Sequence, residues 1–287
     1  MQYTQPSFAW HAPAKLNLFL HITGRRNDGY HLLQTIFHFL DFGDKLYFEV
    51  LPNSTINLAP ALENVSNEEN IIVKAAKLLQ NDTGCTLGAN ITLDKQLPMG
   101  GGLGGGSSDA ATTLLALNKL WKTGLNKKKL MNLGLGLGAD VPVFINGHAA
   151  WAEGVGEALT NISLDDCWYL VLFPNININT GTIFSSGELT RNKVPIKIRD
   201  FLNGSTENVC QAVVSAQYPE VKEALNWLSQ FSEARLTGTG ACVFASFESE
   251  HAAKHVARQV PERWQAFAAK GLNETHIETF YWGVAKR

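Results

Sequence analysis

The stretch from residue 98 to residue 111 reads PMGGGLGGGSSDAA and is the part of the chain best suited to chemistry. Six of the seven residues from Gly100 to Gly106 are glycine, so backbone N–H groups can approach a bulky anion without hindrance from Cβ atoms. Relative to alanine, six loop glycines cost about 2–6 kcal/mol through the unfolded chain, a large share of the ~5–15 kcal/mol that stabilises a domain. The run therefore indicates a functional requirement rather than a simple turn.

The residues that follow the glycines predict a helix. Ser107, Ser108 and Asp109 are good N-cap residues. Apolar side chains then recur at helical spacing, at Ala110, Leu114, Leu117 and Trp121. The first turn of a helix presents unpaired N–H groups and the positive end of the helix dipole. We therefore expect an anion site at this junction, and the loop favours phosphate as the anion.

Three kinds of loop could bind phosphate in this way. A Walker A loop needs a lysine directly after its last glycine, and Ser107 stands there instead. A dinucleotide fingerprint is matched by Gly100, Gly102 and Gly105, but it also needs an acidic residue about twenty positions later, and none lies between Asp109 and Asp140. The third kind is a glycine-rich loop, introduced by proline and followed by Ser-Ser and a helix of small residues. A flexible linker is disfavoured by the cap residues and the helical periodicity.

Two further positions carry groups that could react. In KLNLFLHI, residues 15–22, polar and apolar side chains alternate, which predicts a strand with Lys15 and Asn17 on one face. Side chains two apart lie about 7 Å from each other, so both could contact one small ligand. A half-exposed strand with Lys15 in water is the structural alternative. Asp140 precedes Val141 and Pro142, which by itself is typical of a helix N-cap.

The pattern of the remaining elements places these residues around the glycine loop. The first half predicts a hairpin turn at 24–29, a strand from Tyr30 to Leu40, strands at 46–51, 56–58 and 90–93, helices at about 70–79 and 126–137, and a short β pair at 148–159. The second half predicts a buried strand at 168–173, a loop at 175–184, helices near 208–214 and 220–228, and a close backbone approach within 236–245. The composition changes near Asn161, so we predict domains at 1–161 and 162–287.

Composition excludes several classes of function. The net charge of −2 gives no reason to expect nucleic acid or a membrane as a partner. Four cysteines without CxxC spacing predict neither a zinc site nor a disulfide framework, and the absence of a leader or a long apolar run predicts a cytoplasmic protein. His251 and His255 are four residues apart, but their basic neighbours favour a solvated helix face over a metal pair.

Three separated stretches, at 12–20 (APAKLNLFL), 98–111 and 236–244, resemble in order and spacing the signature motifs of the GHMP kinases, along nearly the whole chain. GRRNDGYH and LGADVPVF strengthen the resemblance. It implies an α+β, two-domain GHMP-kinase fold. The N-terminal ATP domain would resemble ribosomal protein S5 domain 2, the C-terminal domain would be a ferredoxin-like α+β domain, and the active site would lie in the cleft between them.

The resemblance also implies a reaction and its residues. The reaction is ATP-dependent transfer of a γ-phosphoryl group, with Mg²⁺, to a tertiary-carbon hydroxyl of a cytidine diphosphate-linked polyol. Lys15 and Asp140 correspond to the catalytic pair, and Asn17 to a contact with the polyol. Tyr30 and His31 match residues that hold the cytosine ring, and the weaker local match at Phe184 and Thr180 implies a second aromatic wall and a neighbouring contact. The ATP site would comprise Asn70 and Lys95 near the adenosine, and Pro98, Met99, Gly100, Gly101, Gly102, Leu103, Gly104, Gly105, Gly106, Ser107 and Ser108 around the phosphates.

Several alternatives stay open at this point. Asp109 could cap the helix or help to hold Mg²⁺, and no metal ligand is assigned. The runner-up functions are another GHMP kinase, acting on homoserine, mevalonate or a sugar, and a nucleotide-binding sensor without turnover. We expect small-molecule partners only, and a monomer or a weak homodimer.

Overall fold

The computed structural model describes residues 8–62, 65–204 and 207–275, and in this part of the chain it contains ten strands and nine helices. The strands are β1 (Trp10–Arg25), β2 (His31–Leu51), β3 (Ile56–Ala59), β4 (Gly88–Asp94), β5 (Ala150–Glu153), β6 (Ala158–Asn161), β7 (Trp168–Phe173), β8 (Ala234–Leu236), β9 (Val243–Phe247) and β10 (Gln265–Leu272). The helices are α1 (Ile71–Thr83), α2 (Gly105–Leu120), α3 (Lys127–Leu135), α4 (Val141–Asn146), α5 (Thr180–Ser185), α6 (Ile198–Leu202), α7 (Cys210–Gln217), α8 (Pro219–Leu228) and α9 (Glu250–Ala257). The α+β class is confirmed.

All ten strands belong to one mixed sheet. Its path runs β3-β4-β2-β10-β7-β9-β8, while β1 and β5 also pair with β2, and β6 pairs with β5. The last strand, β10, pairs with β2 through Gly271–Leu40 and Leu272–Phe39 and with β7 along its length. The chain therefore returns to its first half at its C-terminal end. The domain division at residue 161 falls at the end of β6 and stays a prediction.

The strand that carries Lys15 differs from the expectation of one exposed face. Every residue from Ala12 to Ile22 is buried, and Lys15 is only 3% exposed. Register shifts between β1 and β2, at 13/15 and 17/20, interrupt the alternation of the two faces. The half-exposed strand with Lys15 in water is therefore wrong. The separate strand predicted at 46–51 is also wrong, because β2 continues through it.

Helix α2 starts earlier than the cap residues predict. It begins at Gly105, its N-cap is Gly104 with φ of 73°, and no side chain caps it. Glycine can take this left-handed conformation, so the loop turns directly into the helix. Ser108 and Asp109 consequently lie inside the helix and are buried. The prediction that Ser107, Ser108 or Asp109 caps the helix is wrong.

The stretch at 175–184, predicted as a loop, ends in a short helix. Helix α5 begins at Thr180, and the side chain of Asn179 caps it by accepting a 3.2 Å hydrogen bond from the N–H of Thr182. A six-residue helix is too short for its periodicity to be recognised in the sequence.

Two apolar cores lie against the sheet. The first packs α1, α2 and α4 on the N-terminal strands around Phe39, Phe144 and Leu114. The second packs α7 and α8 on β7 and β9 around Phe244 and Leu228. Among the described residues, none of the helices combines the length and apolar character that crossing a bilayer requires.

Candidate active site

A cleft of about 1070 Å³ is lined by residues from both halves of the chain. It contains nearly all the residues that the sequence nominates: Lys15, Asn17, Tyr30, His31, Asn70, Lys95, Pro98 to Ser107, Asp140, Thr180 and Phe184. Ser108 is the exception, because its side chain is fully buried within α2 and does not line the cleft.

The glycine loop is held from one side by its carbonyl groups. Five consecutive carbonyls, from Gly100 to Gly104, each accept a hydrogen bond of 2.8–3.2 Å from a protein group. The donors are the N–H groups of Ala241, Cys242, Lys15 and Ser108 and the Lys15 ammonium group. The stretch at 236–245, where a close backbone approach is predicted, thus contacts the glycine loop through the backbone of Ala241 and Cys242.

Two of the glycines are required by this packing. A Cβ at Gly102 would lie 2.5 Å from the carbonyl oxygen of Thr237, and one at Gly104 would lie 2.8 Å from the ring of Phe144. Both residues also have φ near 75°, which disfavours any side chain.

The N–H groups of the glycine loop differ from its carbonyl groups in their hydrogen bonding. Within the described residues, the N–H groups of residues 100–104 donate to no protein group, although these residues line the cleft. They adjoin the first turn of the sixteen-residue helix α2, whose N–H groups and dipole favour an anion. The loop can therefore bind a phosphate chain through its backbone.

Lys15 and Asp140, which are 125 positions apart in the chain, meet beside the loop. The Lys15 Nζ lies 3.3 Å from an Asp140 carboxylate oxygen and donates to Asn17 Oδ1 at 2.6 Å and to the Gly102 carbonyl at 3.1 Å. Asp140 occupies the N-cap position of α4, but its side chain makes no capping hydrogen bond and remains 34% exposed in the cleft. Its carboxylate is thus accessible from the cleft and in contact with a lysine, an arrangement suited to accepting a proton from a hydroxyl group.

Asn17 is held in place by its own contacts. Its side-chain amide donates to Thr35 Oγ1 at 2.9 Å, and its backbone N–H donates to Thr237 Oγ1 at 3.0 Å. Because Asn17 Oδ1 then faces Lys15, the position of the ammonium group is set by β1, β2 and the loop after β8.

A half-buried lysine and two buried carboxylates lie next to the first turn of α2. Lys95 donates to Asp44 at 2.5 Å and lies 3.3 Å from Asp109, and Asp44 also accepts from the backbone N–H groups of Gln96 and Leu97. Burial and the nearby Asp44 charge raise the pKa of Asp109. The Lys95 charge, 3.3 Å away, opposes that rise. Asp109 lies inside α2, so the alternative in which it caps the helix is wrong.

The other end of the cleft is aromatic. Tyr30 is 63% exposed, while His31 stacks on Phe184 with ring centroids 5.1 Å apart. Thr180 Oγ1 lies 2.9 Å from Thr239 Oγ1 at the start of α5. The structure therefore brings these four predicted residues into the same cleft as Lys15 and Asp140.

Sequence reasoning missed Arg191, which contacts two of these residues. Its Nε donates to His31 Nε2 at 3.1 Å, and one of its terminal nitrogens donates to the Phe184 carbonyl at 2.7 Å. Arg191 stands in the unpatterned stretch ELTRNKVP, which gives no signal of such a role.

Comparisons with known proteins identify the class to which this fold and cleft belong. Two family models match: GHMP kinases N terminal domain at residues 70–148, and GHMP kinases C terminal at residues 188–266. The chain belongs to the GHMP kinase family and is a small-molecule kinase.

More similar relatives carry a more specific name. The chain is 55% identical over 268 residues to 4-diphosphocytidyl-2-C-methyl-D-erythritol kinase of Pseudomonas syringae, covering 93% of this chain and 95% of that protein. It is 54% identical to the enzyme of the same name from Pasteurella multocida, covering 92% and 90%. A crystal structure of 4-(cytidine 5'-diphospho)-2C-methyl-D-erythritol kinase superposes with a TM-score of 0.81 at 30% identity, covering 92% and 99%. The Methanococcus jannaschii mevalonate kinase, with a TM-score of 0.65 at 16% identity over 95% and 100%, shares the fold.

Proposed function

We propose that this protein transfers the γ-phosphoryl group of ATP to the 2-hydroxyl of 4-diphosphocytidyl-2-C-methyl-D-erythritol, giving the 2-phosphate and ADP. This reaction belongs to the non-mevalonate route to isoprenoid precursors. The observation that carries the proposal is the meeting of Lys15 and Asp140 beside a loop whose N–H groups remain available to phosphate. The names of the relatives at about 55% identity support the choice of acceptor.

We place ATP along the glycine loop of the cleft and the base of the acceptor at its aromatic residues. ATP lies with its phosphates along residues 98–107 and its adenosine toward Asn70 and Lys95. The acceptor lies at the opposite end, with its base near Tyr30, His31, Thr180 and Phe184 and its polyol near Asn17. Both lie in one cleft, so the acceptor hydroxyl and the terminal phosphate can meet at the Lys15–Asp140 pair.

Phosphoryl transfer through a loose transition state needs alignment and charge stabilisation more than covalent help from the protein. Asp140 accepts the proton of the acceptor hydroxyl late in the transfer, when orientation matters more than basicity. Lys15 holds the carboxylate in place and offsets negative charge on the transferred group. The loop N–H groups hold the β-phosphate region throughout.

Mg²⁺ is the metal expected with ATP, and it supplies neutralisation of the phosphate charge when bound. The described residues contain no cluster of three or more potential metal-ligating side chains. This fits Mg²⁺, which binds through substrate phosphates, water and only one or two carboxylates. Asp109 and Asp140 are the carboxylates beside the loop that would hold it, and each of them lies 3.3 Å from a lysine ammonium group.

The test is an ADP-release assay with ATP and 4-diphosphocytidyl-2-C-methyl-D-erythritol, run beside homoserine, mevalonate and galactose. We expect turnover of the cytidylated acceptor at least about a hundredfold above the others, since the aromatic end of the cleft has nothing to bind in the simple alcohols. Faster turnover of a simple alcohol would assign the protein to another acceptor. Nucleotide binding without turnover of any acceptor would favour a sensor.

We also propose that the protein acts in the cytoplasm as a monomer or weak homodimer on small molecules alone, with a boundary between its two domains near residue 161. Light scattering over a range of protein concentrations tests the oligomeric state, and limited proteolysis tests the boundary.

A further inference from the structure

Arg191 makes four hydrogen bonds at the aromatic end of the cleft. Its terminal nitrogens donate to the carbonyls of Phe184 and Ser186 at 2.7 Å each and of Leu189 at 3.1 Å, and its Nε donates to His31 Nε2 at 3.1 Å. The carbonyls of Phe184 and Ser186 lie at the C-terminal end of α5, where helical carbonyls lack partners within the helix. One guanidinium group therefore joins the end of the helix that carries Phe184 to the ring that stacks on Phe184.

This contact fixes the protonation state of His31. Arginine has donors and no acceptor, so the Nε2 that it contacts must carry the lone pair, and the ring proton of the neutral imidazole sits on Nδ1. Burial lowers the pKa of His31, and the positive charges of Arg191 and of Arg25 on β1 lower it further. His31 is therefore neutral at physiological pH. Within the described residues its Nδ1 makes no hydrogen bond to the protein, so this N–H donor remains available.

We propose that Arg191 is a positioning residue that holds His31 as an Nδ1–H donor and thereby selects an acceptor whose heterocycle presents a ring nitrogen with a lone pair. Cytosine presents such an acceptor at N3, whereas uracil presents an N–H donor there. The inference rests on the proposed function in one respect, since it takes the base of the acceptor to lie at this end of the cleft. Lysine cannot replace Arg191, because a single ammonium group has three donors and lacks the planar fork that spans four acceptors.

The first test needs no substrate. Long-range ¹⁵N–¹H NMR of the imidazole groups, with His31→Gln used to assign the signal, reports the tautomer and the pKa of His31 in the free protein. We expect the Nδ1–H form with a pKa below 6.5 in the wild type, and a higher pKa in Arg191→Gln, which removes a nearby positive charge. Arg199→Gln is the matched control, because Arg199 is exposed on α6 and pairs with Asp200. A wild-type ring protonated on Nε2 would overturn the proposal, whatever the enzyme's substrate.

The second test measures kinetics. In Arg191→Gln and Arg191→Lys we expect the KM for the cytidylated acceptor to rise about 3- to 10-fold, the loss expected for one neutral hydrogen bond, with the KM for ATP unchanged. The preference for the cytidylated acceptor over its uridylated analogue should fall by a similar factor. Full retention of that preference in both variants would contradict the proposal, as would equal rises in both KM values. If the wild type does not turn over the cytidylated acceptor, the proposed function is wrong. The NMR measurement still tests the tautomer of His31 independently, because it uses the protein without substrate.

Discussion

Replacing Asp140 with asparagine separates catalysis from folding more cleanly than any other change in the cleft. The Asp140 side chain makes no capping hydrogen bond, and in its ion pair with Lys15 the aspartate is 34% exposed. Lys15 keeps two other acceptors, Asn17 Oδ1 and the Gly102 carbonyl. We therefore expect Asp140→Asn to cost about 1 kcal/mol of folding free energy or less, which lowers the Tm by about 2–4 °C.

The catalytic loss should be much larger. Asparagine cannot accept the hydroxyl proton, so kcat should fall by about 10²–10⁴, which corresponds to roughly 3–5 kcal/mol in the barrier. The assay is steady-state ADP release at saturating ATP and acceptor, with the Tm measured by calorimetry on the same preparation.

Asp44→Asn is the contrasting variant. Asp44 is fully buried and accepts hydrogen bonds from Lys95, Gln96 and Leu97, so removing its charge should cost about 3–5 kcal/mol and lower the Tm more than Asp140→Asn does. The reasoning is refuted if Asp140→Asn keeps more than about a third of the wild-type kcat. It is equally refuted if Asp140→Asn loses activity only in step with a fall in Tm like that of Asp44→Asn.

Three further predictions concern the loop, the aromatic end and the interior. Gly102→Ala should raise the KM for ATP by at least about tenfold, because its Cβ would meet the Thr237 carbonyl. Gly84→Ala is the control, since Gly84 has a similar φ but open space around it, and it should leave the KM for ATP unchanged. An equal effect of both variants would show that only backbone strain matters. Tyr30→Ala should raise the KM for the cytidylated acceptor by about tenfold through lost stacking, with the KM for ATP and the Tm unchanged. A parallel rise in both KM values would contradict this prediction. Burial lowers the pKa of His38 to about 4, so at this site the unfolded chain binds a proton more readily than the folded protein does. The free energy of unfolding should therefore be highest above pH 6.5 and fall by about 3 kcal/mol as the pH drops to about 4. Chemical denaturation from pH 4 to pH 8 should show a flatter dependence in His38→Gln, and an unchanged slope would assign the effect to other groups.

The sequence predicted the phosphate loop and its helix because both leave strong local signals. A run of glycines followed by apolar residues at helical spacing is visible without any tertiary information. Helices α1 and α3 begin within one residue of the predicted positions, and Asn70 and Asn126 cap them. The resemblance to a known family supplied the pairing of Lys15 with Asp140, which spacing alone leaves undecided.

Local pattern failed where tertiary contacts decide the outcome. Alternation suggested that Lys15 faces water, but contacts of β1 with both halves of the chain bury both faces of the strand. Ser107 to Asp109 are better N-cap residues than Gly104, yet the left-handed conformation of Gly104 starts the helix. Arg191 was missed because His31, 160 positions away in the chain, becomes its neighbour only after folding, and because its other three acceptors are backbone carbonyls, which no residue type signals.

The position of β10 has a consequence for synthesis of the chain. Residues 265–272 join β2 to β7, so a ribosome must release almost the entire polypeptide before these two strands become part of one sheet. A nonsense codon upstream of residue 265 would leave one edge of β7 unpaired, and such an edge is a template for intermolecular pairing. Truncated products should therefore accumulate as inclusion bodies, even though every residue nominated for catalysis has already been translated.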